Sequence, residues 1–98
     1  MVSDELIGLE WARIPHFFYN YYVFQYATGF AAAAAIAQRI LTEGAPAVED
    51  YKRVLSSGGS SDPISLLKIA GVDMASPEPV AAALRLFNEL IGELEELI

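Results

Sequence analysis

Ninety-eight residues, 54% of them hydrophobic, can build one modest core, so the chain is a single domain or a piece of one. A formal net charge of −7, from 13 acidic and 6 basic residues, repels phosphate backbones and sets nucleic-acid binding aside. The lack of cysteine excludes disulfides and thiolate chemistry, and it fits a cytoplasmic setting.

The chain opens with Asp4, Glu5 and Glu10, the wrong charge for the basic start of a secretory signal. Ser3 is a suitable N-cap for a short helix carrying Leu6, Ile7, Leu9 and Trp11. That helix should end near Arg13, because Pro15 disfavours helical geometry at Ile14. Pro15 in turn suits the first position of a new helix, predicted over Pro15–Thr42. The first half of this element is aromatic, from Phe17 to Tyr26, and the second half holds Ala31–Ala35, Ile36 and Ala37. Apolar residues all round predict a helix enclosed by its neighbours, which the alanines would let pack close. Residues 14–38 carry no formal charge and are long enough to cross a bilayer. His16, Asn20, Gln25, Thr28, Gly29 and the weakly lipophilic alanines argue instead for burial in protein, so no membrane span is expected.

Gly44, with Pro46 beyond it, is the natural stop for the long helix. A third helix is predicted over 45–55, followed by the flexible loop Ser56–Ser61. Asp62-Pro63 is a cap-and-first-turn signal for a short fourth helix that Gly71 closes. Ser76-Pro77 repeats the signal for the last helix. There Val80, Leu84, Phe87, Ile91, Leu94 and Ile98 fall on one face, with Ala83, Leu90 and Leu97 widening it. The predicted fold is all-α, a bundle of about five helices around one long buried helix. No strand pattern and no internal repeat occurs.

Little of the chain can carry chemistry. One histidine and no cysteine cannot make an ordinary zinc site, which needs three or four N, S or O ligands. Gly58-Gly59 precedes a helix, but Asp62 there would repel an anion, so a plain turn is the better reading. His16 remains. On a helix it shares a face with Tyr19, Asn20, Val23 and Tyr26, and Tyr22 flanks that face. Imidazole and phenol groups so aligned can hydrogen-bond a substrate carbonyl or the oxyanion formed from it. Spacing alone favours the plainer alternative, amphipathic rings at a core edge with their polar tips satisfied.

The run Glu10-Trp11-Ala12-Arg13-Ile14-Pro15-His16-Phe17, continuing through Tyr19-Asn20-Tyr21-Tyr22-Val23-Phe24-Gln25-Tyr26-Ala27-Thr28-Gly29, resembles the C-terminal signature of oligoendopeptidase F. These are zinc metalloendopeptidases related to thimet oligopeptidase. Ser57-Gly58-Gly59-Ser60, Asp62-Pro63 and Ala70-Gly71-Val72-Asp73-Met74 extend the likeness over nearly the whole chain. The resemblance implies a helical protein around a deep channel, with an HExxH helix and a downstream Glu holding zinc. Residues 1–98 would be the C-terminal segment, and the zinc-binding part would lie upstream. In that family a His and nearby Tyr residues face the metal-bound peptide and stabilise the tetrahedral intermediate. Carried over, this makes His16 and Tyr19 catalytic, and Tyr22 and Tyr26 substrate-binding. Phe18 and Phe24 stand where relatives often have Tyr, which removes a phenol from both positions. With the resemblance added, a substrate-facing His16 becomes the favoured reading. The expected partners are a peptide substrate in the full enzyme, the upstream zinc-binding part, and, for the isolated chain, further copies of itself through exposed apolar faces. The chain alone is expected to be inactive. The alternative is a non-catalytic helical interaction module that self-associates.

Overall fold

The computed structural model describes residues 4–98, and every regular element among them is helical. Two 3₁₀ helices, Glu5–Arg13 and Pro15–Phe18, precede four α-helices: α1 over Phe24–Glu43, α2 over Ala45–Ser57, α3 over Pro63–Ile69 and α4 over Glu78–Leu97. α1 is the hub, packing against both α4 and α2, and α2 packs against α3. The all-α expectation holds.

Several boundaries follow directly from the residues that set them. Asp4 caps the first element by accepting from the Leu6 N–H at 2.9 Å, while Ser3, the expected cap, lies outside the described residues. Gly44 ends α1 at φ 70° with its N–H on the Ile40 carbonyl, and α2 starts at the next residue. Asp62 caps α3 by accepting from the Ser65 N–H at 3.0 Å, with Pro63 behind it at the first position. α2 runs two residues past the predicted Leu55, ending on Ser57, where Ser56 and Ser57 hydroxyls donate back to the Arg53 carbonyl.

Three expectations need correction. The helix predicted over Pro15–Thr42 is interrupted: residues 19–23 form a turn, and α1 begins only at Phe24. Aromatic and β-branched side chains lose rotamer freedom against a preceding helical turn, and this stretch is dense with them. Tyr21 takes a left-handed φ of 57° that closes off any continuous helix. Enclosure of the long helix is also local, because on α1 only Ala31 and Ala32 are buried, while Phe24, Tyr26, Phe30 and Leu41 face outward. Finally, Ser76 does not cap the last helix. Its hydroxyl donates to the Asp73 carbonyl, and α4 starts after Pro77 with no side-chain cap.

The core is small-residue packing: Ala31, Ala32, Ala47, Ala70 and Val72. Alanine against alanine lets backbones approach but removes little apolar area from water, so this core is thin. An ion-pair chain reinforces it. Arg39 on α1 reaches Glu43 at 2.9 Å and Asp50 of α2 at 2.9 Å, and Asp50 also takes Arg53 at 3.0 Å.

Candidate functional site

The candidate site is built where the chain is least regular. Pro15 fixes φ at a helix start, and the short 3₁₀ turn that follows carries bonds from Phe17 N–H to the Ile14 carbonyl and from Tyr19 N–H to the His16 carbonyl. Tyr21 then takes its left-handed φ within the turn that precedes α1. The consequence is that side chains ten positions apart converge.

His16 sits at the centre. Its ring is stacked on Tyr22, with centroids 5.3 Å apart and planes 25° from parallel. Tyr19 and Tyr26 present their edges to it at 6.1 Å and 6.2 Å. Tyr22 also meets Tyr19 and Tyr26 edge-on, at 5.8 Å in each case. His16 is half-buried among these rings, while Tyr19 and Tyr26 stay exposed. The Tyr22 hydroxyl, as a hydrogen-bonding neighbour, pushes the Tyr26 phenol above its ordinary pKa, and desolvation adds to the effect. A phenol held in that direction remains protonated, and so a donor, at neutral and mildly alkaline pH.

All four residues singled out from the sequence are thus brought together. What helical spacing missed is the rank of Tyr22: expected at the flank, it is the ring nearest His16. The turn at 19–23 produces that placement, and nothing in the spacing announces it. Phe18 and Phe24 are exposed and form no ring pair with His16.

A metal does not fit here. Among the described residues, no three His, Cys, Asp or Glu side chains are grouped to hold an ion. The donor set around His16 is one imidazole and three phenols, which offers zinc a single nitrogen and no thiolate or carboxylate, short of the three or four ligands it takes. What the cluster offers is N–H and O–H donors gathered around one imidazole, chemistry suited to an oxygen that gains negative charge. Among the described residues, no helix is long and apolar enough to cross a membrane.

Among the described residues the chain is all-α and gathers a His–Tyr cluster without a grouped ligand set for a metal. Residues 1–86 match the model of peptidase family M3. Over 98 residues the chain is 59% identical to oligopeptidase PepF of Bacillus subtilis, covering all of this chain and 15% of that relative. It is 50% identical to the group B oligopeptidase PepB of Streptococcus agalactiae over 98% of this chain and 16% of the relative. With a plasmid-borne oligoendopeptidase F of Lactococcus lactis the identity is 47%, over 94% of this chain and 15% of the relative. The chain belongs to peptidase family M3, and it spans about one sixth of the length of these relatives. No solved structure matches it.

Proposed function

We propose that this chain is the C-terminal segment of an oligoendopeptidase F-like zinc endopeptidase that hydrolyses short peptides, and that it is inactive by itself. The observation that carries the reading is the convergence of His16, Tyr19, Tyr22 and Tyr26 inside the stretch that matches the family. Peptide hydrolysis passes through a tetrahedral intermediate whose carbonyl oxygen becomes an anion. His16 through a ring N–H and Tyr19 through its hydroxyl donate hydrogen bonds to that oxygen. Tyr22 and Tyr26 lie against the peptide, their rings giving apolar contact and their hydroxyls orientation. The zinc that the family resemblance implies takes its ligands from the upstream part of the parent. A cytoplasmic location belongs to the same proposal.

The test uses the full-length parent. His16→Ala should leave bound metal unchanged while turnover of a short peptide falls about 10²–10³-fold, the usual cost of one oxyanion donor. Wild-type turnover in that variant would refute the assignment. Loss of metal along with activity would make His16 a ligand instead. The runner-up, a non-catalytic module that self-associates, draws on the many apolar side chains left exposed, such as Trp11, Phe30 and Phe87. Peptide cleavage by the isolated chain with added zinc would refute both readings.

A further inference from the structure

The most regular apolar pattern in the chain goes unused inside it. Along α4, Val80, Leu84, Phe87, Ile91 and Leu94, with Ile98 at the C-cap, repeat in alternating steps of four and three, the spacing of a coiled-coil seam. All six are exposed. α4 reaches α1 through a different face, where Pro79 is buried and Ala82 and Leu86 line the cleft opposite Ala34 and Gln38. At 3.6 residues per turn that face stands about 130° round the helix from the seam.

We propose that this face binds a second copy of the chain, α4 against α4 and antiparallel, about a two-fold axis at Glu89. The register is self-complementary. An axis there sets Val80 opposite Ile98 of the second copy, Leu84 opposite Leu94 and Phe87 opposite Ile91. Every layer of the seam is then apolar and each joins the two alternating positions of the repeat, as antiparallel coiled coils require.

Charge decides the direction. Beyond Arg85, α4 carries Glu89, Glu93, Glu95 and Glu96 and no basic residue. A parallel pair would set these acids, and two negative helix C-termini, side by side. Reversal places each acidic end beside the N-terminal half of the other helix, where the dipole is positive and the one acid, Glu78, is already paired with Arg85. The flanks agree. Beside the seam, Glu95 faces Ala81 of the second copy, and the positions that meet their own counterparts near the axis are Asn88 and Leu90, neither charged.

The native chain has no cysteine, so single cysteines report the geometry cleanly. The full chain should sediment at equilibrium as a dimer, twice its 10.7 kDa mass, at tens of micromolar. Asn88→Cys, at the axis, should cross-link to itself under oxidation, and Glu95→Cys should not. Phe87→Asp should raise the dissociation constant by at least roughly tenfold, as loss of a central apolar anchor does, with helicity by circular dichroism retained. Should that variant unfold, Leu94→Lys reads the same seam one layer out. A monomer at high micromolar concentration would overturn the proposal and leave the face to the upstream part of the parent. Cross-linking through Glu95→Cys but not Asn88→Cys, or a dimer indifferent to both seam substitutions, would overturn it as well. None of these outcomes bears on the role of His16, which is read in the parent.

Discussion

Arg39 and Gly71 meet where α1, α2 and the end of α3 come together. Gly71 has a left-handed φ of 78°, and a Cβ added there would sit 2.7 Å from Nη1 of Arg39. The guanidinium in question is the one that Asp50 and Glu43 hold, and its bond to Asp50 keeps it protonated more firmly than an ordinary arginine. Gly71→Ala therefore does two things at once. It places an L side chain in the left-handed region, at roughly 1–2 kcal/mol, and it pushes Arg39 off Asp50. The expected result is a clear drop in the urea midpoint without loss of helix content. Gly92, with open space around its missing Cβ and an ordinary helical position, gives the contrast: Gly92→Ala should stabilise by about 0.5–1 kcal/mol. Equal effects at the two glycines would mean that conformation and crowding at Gly71 carry no weight.

At the scale of elements, α3 depends on two carboxylates. Asp62 caps it, and its bonds to Ser65 hold its carboxyl below the usual range. Asp73 accepts from the Ala75 N–H at 2.9 Å and pairs with Lys68 at 3.2 Å, which also lowers its pKa. Because both folded pKa values lie below the unfolded ones, the stability they contribute is complete above the unfolded value. It is lost as pH falls through the folded value, so the loss belongs below about pH 4. Thermal melts from pH 7 to pH 2 should show it, and Asp62→Ala with Asp73→Ala should melt lower at pH 7 and change less across the acid range. An unchanged acid dependence in the double variant would assign the transition to other groups. Local punctuation is also why α2 and α3 were legible in the sequence, since Gly44, Asp62-Pro63 and Gly71 act through backbone chemistry, whereas α4, which has no side-chain cap, was legible from its apolar spacing. The aromatic stretch offers no such punctuation. Aromatic residues crowded on every side look the same to a helix and to a turn, and only the backbone at Tyr21 settles which one forms. The candidate site was legible as a set of residues, His16, Tyr19, Tyr22 and Tyr26, but its stacking order depended on that turn.

The whole molecule is open. Its radius of gyration is 17.3 Å, against about 13 Å for a compact domain of this length. Its buried side chains are all small, four alanines with Val72 and Pro79, and large apolar groups are left at the surface. Two opposing forces therefore act when copies meet. Apolar faces draw them together, while chains of net charge −7 repel each other at long range. Salt acts mainly on the second. The Debye length falls from roughly 30 Å at 0.01 M to about 8 Å at 0.15 M and 3 Å at 1 M. Self-association should strengthen steeply as NaCl rises from low concentration to about 0.15 M, and then level off once the repulsion is screened. Sedimentation equilibrium over that series reads the dissociation constant directly. If affinity fell with salt instead, ion pairs between copies would be the driving contacts. The acidic far half of α4 would then have to face Arg85 and the lysines of a second copy at close range rather than flank an apolar seam.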